Sequence, residues 1–428
     1  MSEVTFAPLA SFADVTMGQS PGTELCNADG KGLPFLQGCA EFGARNPHTF
    51  VFCDPPLRSA KAESVLISVR APVGTMNYAD QDYCIGRGLG SFKAKPNIAN
   101  TVFLKHAVEH GAGYLHRRSQ GSTFAAVSTD DVRTVPIPVF GCAKQNKIAA
   151  ILSSIDTAIE QTEALIEKYQ HIKAGLMHDL FTRGVLPTGQ LRPPREQAPE
   201  LYQETAIGWI PKEWRFQNVE VALESVADGP FGSNLKTEHY VADAGVQVVR
   251  LQNIAEYEYD DSDKAYISNR HACFLIRNKV VSGDVLIAGL GDERYAVGRA
   301  CCYPAELPSA VNKADCFRAR CKSTVMENKF FMLFLNSELA RRQMRRFEQG
   351  VTRPRINTGN LKRVAACIPD LDEQNRIISK FDAMQKTIRA QITCMEALRA
   401  QKLGLMQDLL TGKVAVKVNS PDNAPAHA

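Results

Sequence analysis

"KAGLMHDLFTRGV", residues 173–185, returns near the end of the chain as "KLGLMQDLLTGKV", residues 402–414. The echo extends upstream: at a constant offset of 229 and without a gap, residues 145–185 align with 374–414 and are identical at 13 of 41 positions. In the same register "QGST" (120–123) meets "QGVT" (349–352), and "VPIPVF" falls within one residue of "VAACIP". The chain is therefore two unequal copies of one module. Solenoid units run to about 20 to 50 residues, so a period this long implies two domains that end in the same element.

That element reads as a helix. In the first copy Ile148, Leu152, Ile155, Ile159, Thr162, Ile166 and Tyr169 recur in steps of three and four; in the second, Ile377, Phe381, Met384, Ile388, Ile392, Met395 and Leu398 do the same. Both are narrow stripes of the coiled-coil kind, flanked by Glu160, Glu163, Glu167, Lys168, Arg389 and Arg399. A helix of roughly 38 residues, about 57 Å long, with so thin a stripe needs a partner, and the other copy is the nearest one. Two unrelated surface helices would explain the stripes but not the residues shared at one offset.

At 428 residues and 44% hydrophobic content, the chain can bury two or three cores. It has no 18-residue apolar run, and "MSEVTFAPLASFADV" lacks the basic start and apolar centre of a signal peptide. The expectation is a cytoplasmic protein without a membrane segment. Twelve cysteines lack any C-x-x-C pair, which points to reduced thiols and no metal site. The net charge is only +4, yet "RRQMRRFEQGVTRPRINTGNLKR" (341–363) holds eight Lys or Arg and one acid. Such a run suits phosphate contacts; its bland reading is a solvated helix face followed by a basic loop. Its place just before the second long helix favours the first reading, and copy one has His116, Arg117 and Arg118 at the equivalent place.

The expected fold class is α+β. Residues 1–143 form a first domain with β-prone runs "TFVF", "SVLISV" and "TVFLK" and little amphipathic helix; 144–183 are the first long helix. Residues 184–205, with four prolines and two glycines, read as an irregular linker. Residues 206–371 form the second domain, with strands in "VQVVRL", "KAYIS" and "GDVLIAG" and one helix over 329–349; 372–411 are the second long helix and 412–428 a tail.

Catalytic signatures are scarce. "CDPPL" (53–57) with "IGRGLG" (85–90) resembles the paired motifs of an amino-methyltransferase. In such an enzyme an aromatic residue stacks on the flipped base, and Leu57 has no π-face. About thirty residues between the motifs also leave little room for a doubly wound sheet. There is no P-loop, no H-E-x-x-H and no nucleophile elbow, and the nine histidines, His171 and His178 among them, read as surface or core residues. A chain this large without a catalytic constellation reads as a binding or assembly protein.

The order of motifs resembles the specificity (S) subunit of type I restriction-modification enzymes over nearly the whole chain. In copy one the resemblance lies in "VTMGQSPG" (15–22), "GLPFLQG", "SVLISVRAPVG" (64–74) and "CIGRGLGSF". In copy two it lies in "IGWIPKEW" (207–214), "DGPFGSNLK" (228–236), "VRLQNI", "GDVLIAGLGDER" and "PDLDEQNRI" (369–377), the last resembling the family's Pro-x-x-x-E-Q start of a spacer helix. Copy one departs with "AKQNKI" where Glu usually precedes Gln145, and with "AESVLIS" where Gly-Asp usually precedes the strand; these bear on turn geometry more than on function.

The resemblance implies two target-recognition domains, each followed by a spacer helix, with the helices paired as an antiparallel coiled coil of pseudo-twofold symmetry. It implies a non-catalytic subunit that reads an asymmetric bipartite site in double-stranded DNA and assembles with two methyltransferase (M) subunits and with restriction/translocase (R) subunits. No cofactor is expected in this chain; S-adenosylmethionine, ATP and Mg2+ belong on the partners. Candidate DNA contacts are Arg70, Arg87, Arg117 and Arg118 in copy one and Lys236, Arg294, Arg353, Arg355 and Asn357 in copy two, Arg and Asn having the bidentate geometry for guanine and adenine edges. Gly175 and Gly404 are expected to permit close helix approach, and the Leu and Met residues around them read as ordinary core. The rival reading is a non-enzymatic coiled-coil scaffold with two β-rich domains that bind protein or glycan.

Overall fold

The computed structural model describes residues 4–119, 126–242 and 245–417; "QGST" at 120–123 lies outside them. Both copies of the repeat are helical, Cys142–Thr182 and Leu371–Leu410, each about 60 Å long at ~1.5 Å per residue. The stripe is what they cover. Ile148, Leu152, Ile377, Phe381 and Ile388 are buried and the other stripe residues half-buried, whereas Glu160, Glu163, Glu167, Lys168, Arg389 and Arg399 are exposed.

The chain divides into two compact units, Met1–Ile166 with Ala390–Ala428, and Glu167–Arg389. Each long helix therefore gives its first part to one unit and its second part to the other. In the first unit a four-stranded antiparallel sheet runs in the order Ala13–Met17, Leu89–Ala94, Val65–Ser68, Met76–Tyr78. In the second unit the order is the same: Leu223–Ala227, Cys316–Cys321, Val285–Ala288, Ala300–Cys302. A second sheet of five short strands accompanies each, with one parallel pair, Phe35 to Cys84 in the first and Val248 to Val311 in the second. "CDPPL" and "IGRGLG" fall in and beside the first of these, whose strands of two to four residues do not form a doubly wound sheet.

Packing explains why the sequence repeats itself. Met177, Leu180 and Phe181, from copy one, are buried among Trp214, Phe317, Phe330 and Phe334 of the second unit. Met406, Leu409 and Leu410, from copy two, are buried among Leu9, Phe92, Phe103 and Leu152 of the first. Each repeat thus completes the core built by the other copy, at about 1.5–3 kcal/mol for each large apolar side chain buried. Within each unit the two helices run antiparallel. In the first, Lys402 reaches Asp156 (2.9 Å) and Glu109 (2.6 Å), and Arg399 reaches Glu163 (2.6 Å). In the second, Lys173 reaches Gln385 (3.4 Å). Lys173 and Lys402 lie at the repeat offset, and so do Asp156 and Gln385.

The helix starts are also matched. Gln145 accepts from Asn100 N (3.0 Å) and donates to the carbonyls of Phe140 (2.7 Å) and Ile98 (3.3 Å). Gln374 accepts from Glu327 N (2.8 Å) and donates to Val325 (2.9 Å) and Pro369 (3.0 Å). Both satisfy loop backbone groups that would otherwise be buried unpaired. The departure at Lys144 has a reason. Its counterpart Glu373 accepts from Val185 N (2.8 Å) and Trp214 Nε1 (3.1 Å) and clasps the Arg192 guanidinium, all groups that follow the first helix. Lys144 lies instead over the Phe140 ring at 4.0 Å. At the other departure, Glu63 takes the left-handed φ of 63° where copy two has Gly283 at 79°, so the turn is kept.

Four local expectations are corrected. "TVFLK" opens a helix, Thr101–His110, because the Asn100 side chain caps it by accepting from Phe103 N, which outweighs the strand preference of Thr, Val and Phe. The linker is a packed segment: Val185, Arg192, Ala198 and Tyr202 are buried, and Tyr202–Thr205 pairs with Gly208–Pro211 as a hairpin. The helix expected over 329–349 is two helices, Asn328–Leu335 and Glu338–Phe347, with Ser337 capping the second. Gly175 and Gly404 permit no close approach, since both are exposed and a Cβ on either would meet open space.

Among the described residues no helix is long and apolar enough to cross a membrane. All twelve cysteines are free thiols. Burial pushes Cys302, Cys321 and Cys367 up to about 12, which keeps them protonated and unreactive.

Candidate nucleic-acid interface

In each unit one end of the four-stranded sheet gathers loops that carry candidate residues, Arg70 and Arg87 in the first and Arg294, Arg353 and Arg355 in the second. In the second unit the loop after Leu223–Ala227 begins at Asp228, whose carboxylate accepts from Gly229 N (2.7 Å) and Asp315 N (2.9 Å). Gly229 has to be glycine, because a Cβ there would stand 1.9 Å from the Lys313 carbonyl carbon. Burial pushes the Asp228 carboxyl up to about 6, against the pull of the two amide donors. Asp315 itself takes a left-handed φ of 64°, which Asp tolerates better than most residues.

The loop after Val285–Ala288 and the segment 349–357 join the same end. Gly289 N donates to Asp315 O (2.7 Å), Gly291 N to Pro354 O (2.9 Å) and Ile356 N to Gly289 O (2.9 Å), while Gln349 and Arg355 exchange both backbone bonds. This knits Arg294, Arg353, Arg355 and the exposed Phe231 and Tyr295 into one cluster of loops. Arg355 is the ordered member. Its Nε and Nη2 donate to Asp315 Oδ1 at 2.6 and 2.5 Å, and its guanidinium lies 5.6 Å from the Phe231 ring centroid.

The first unit repeats the plan with other residues. Arg70 follows Val65–Ser68 and bridges to Ala126, as Leu290 bridges to Arg355. Val127 N donates to Val69 O (3.0 Å), the counterpart of Ile356 to Gly289. Arg87 sits in the turn before Leu89–Ala94, where its backbone N (3.2 Å) and Nε (3.4 Å) donate to Ser20 Oγ and Gln37 Nε2 donates to the same oxygen (3.1 Å). Gly18 and Gly86 make this junction possible, since a Cβ on Gly18 would stand 2.1 Å from the Gly86 carbonyl oxygen.

The nine candidates therefore differ in kind. Arg70, Arg87, Arg294 and Arg353 are exposed at the loop clusters. Arg117 and Arg118 close the short helix Ala112–Arg118; both are exposed, and Arg118 is drawn to Asp131 (3.5 Å) and stacked on Tyr114 (4.5 Å). Lys236 lies 3.7 Å from Glu238. Asn357 caps the helix Thr358–Lys362 through its carbonyl oxygen, which accepts from Asn360 N (2.8 Å), so that oxygen is engaged.

The basic run 341–363 is not one patch. Arg341 is buried, donating to Val297 O (2.8 Å), Glu256 (2.9 Å) and Asn336 (3.0 Å). Arg342 and Arg345 face Glu338, Lys362 faces Glu220, and Arg363 stacks on Phe347. Among the described residues Arg346 and Arg353 alone of the eight have neither an acidic nor an aromatic partner. Asp228, Asp315 and Phe231 escaped sequence reasoning as site residues. "DGPFGSNLK" was read only as a segment resembling the family, and a lone Asp in "NKAD" gives no local signal. Among the described residues no group of three or more His, Cys, Asp or Glu could hold a metal ion.

The type I restriction modification DNA specificity domain matches residues 56–169 and 246–394, together more than half of the chain. The chain is 35% identical over 171 residues to the MjaX type I restriction enzyme specificity subunit of Methanocaldococcus jannaschii, a match that spans only 40% of either protein. It is 23% identical over 329 residues to the MjaVIII specificity subunit of the same organism, spanning 76% of this chain and 72% of that one. In fold it is similar to the type I restriction-modification S subunit of M. genitalium, with a TM-score of 0.56 at 14% identity over 96% of this chain and 97% of that one. A chain from a study of type I restriction-modification assembly gives 0.57 at 13% identity over 97% and 99%.

Proposed function

Because the chain belongs to the type I restriction-modification DNA specificity family, we propose that it is the non-catalytic subunit that reads a bipartite DNA target, one half-site per unit. The observation that supports this most is the shared plan of the two loop clusters: the same end of the same sheet carries exposed arginines in both units, on loops of unrelated sequence. Arg donates to phosphate and to guanine edges alike. Since the loops differ, the half-sites differ and the target is asymmetric. The two copies of the helix offer similar surfaces to two methyltransferase subunits, and restriction subunits join through that assembly. S-adenosylmethionine, ATP and Mg2+ are held by those partners. A coiled-coil scaffold for protein or glycan has no need for matched arginine loops.

The test is reconstitution. The purified chain alone should transfer no methyl group and cut no DNA; adding its methyltransferase partner should give adenine methylation at one asymmetric bipartite sequence. Methyl transfer by the chain alone, abolished by Asp54→Ala, would revive the enzyme reading that "CDPPL" raises, and methylation without sequence preference would remove the reading function.

A further inference from the structure

Arg353 and Arg355 stand two residues apart on one segment, yet their surroundings are opposite. Arg353 is exposed and has no carboxylate partner among the described residues. Arg355 has its Nε and Nη2 edge clamped by Asp315, a carboxylate whose side chain is only 16% exposed, and is braced by the Phe231 ring. Asp315 is fixed in turn, its amide donating to Asp228 and its carbonyl accepting from Gly289 N. The guanidinium carries five N–H donors in a rigid fork. With one edge held, the Nη1 and Nη2 edge keeps donors without a protein partner among the described residues, on a side chain that is 48% exposed.

We propose that Arg355 reads a guanine edge and that Arg353 holds the DNA backbone, with Asp315 as the residue that positions Arg355. This rests on the DNA-reading function above. The physical argument is charge. A phosphate bound at Arg355 would lie within a few ångströms of the Asp315 carboxylate, and two anions that close repel. The O6 and N7 acceptors of guanine carry no net charge, and the free edge of Arg355 matches their spacing. The same carboxylate can also accept from the N4 amino group of a cytosine. Arg353, with no acid beside it, meets no such penalty at a phosphate. The clamp lowers the rotamer entropy lost on binding, which places the discrimination in a pre-organised group.

The experiment is selection from a library of duplexes with randomised half-sites, using the full chain assembled with its methyltransferase partner, sequenced at two salt concentrations. The wild type should select a bipartite sequence with a guanine in one half-site. Asp315→Asn keeps the left-handed backbone accessible, because Asn tolerates that φ. It should leave the melting temperature unchanged, lower the preference for that guanine roughly 10- to 100-fold, and raise affinity for non-target duplex, an effect a merely structural Asp would not have. Arg355→Lys should lose the same preference, since an ammonium has no fork. Arg353→Ala should weaken all sequences alike and lower the log-log salt slope by about 0.9. An unchanged guanine preference in Arg355→Lys, the result expected if Arg355 only neutralised a phosphate, or an unchanged preference in Asp315→Asn, would overturn the assignment. A wild-type complex that selects no sequence would instead overturn the reading function itself.

Discussion

Asp228 shows two forces in opposition. Its two amide donors favour the carboxylate, burial favours the acid, and burial prevails, placing the group at about 6 against an ordinary 3.8. The sign follows: below about pH 3 the side chain is protonated whether folded or not and costs nothing. Between 4 and 6 the unfolded chain ionises first, so stability falls as pH rises, and above 6 the penalty is complete. Asp228→Asn keeps an oxygen for both donors and removes the charge, so it should raise the melting temperature at pH 7.5 and leave it unchanged at about pH 3. An equal gain at both would show that the charge is not the cause. The same scale is where the sequence was least legible. Arg353 and Arg355 look alike in "TRPR", and what separates them is Asp315, forty residues away. Arg192 and Glu373 likewise meet only in the fold, so a segment rich in proline read as a linker when it holds a buried ion pair.

At the scale of the element the long helices were legible because a stripe repeats every three to four residues and a helix has no other way to cover it. The role of "KxGLMxDL" was half legible. Its Met and Leu residues are core, as their pattern suggests, but no local signal says that each copy closes the core of the other. "TVFLK" failed because a cap one residue upstream decided between strand and helix. The two glycines have no packing role, since an exposed Gly in mid-helix costs about 0.5–1 kcal/mol relative to Ala and a Cβ on either would meet nothing among the described residues. Gly175→Ala with Gly404→Ala should therefore stabilise the chain, raising the melting temperature by a few degrees. If these faces receive the methyltransferase subunits, the same double variant should bind them more weakly. A gain in stability with unchanged assembly, measured by titration of the partner, would remove the glycines from that interface.

For the whole molecule the consequence of sharing is that the first unit is not a contiguous segment: it draws Met406, Leu409 and Leu410 from the far end of the sequence. Each long helix gives part of its length to either unit, and the proposed function makes these helices the ruler that sets the gap between half-sites. Inserting one heptad into both, with the stripes in phase, adds about 10 Å of helix to each. At about 3.4 Å per base pair this corresponds to roughly three pairs. Rotation limits the increase. Three pairs turn the duplex by about 100° at 10 to 10.5 pairs per turn, whereas a heptad turns a straight helix by only ~20°. The gap should therefore lengthen by about one to three pairs, favouring increments that the duplex can accommodate by twisting. Each half-site should keep its own sequence, because no base-reading side chain moves within its unit. Extending one helix alone should break pairs such as Lys402 with Asp156 and Arg399 with Glu163 and lower stability. Sequencing the methylated sites of the doubly extended protein, assembled with its partner, measures the gap directly. An unchanged gap with unchanged half-sites would show that something other than the helices sets it.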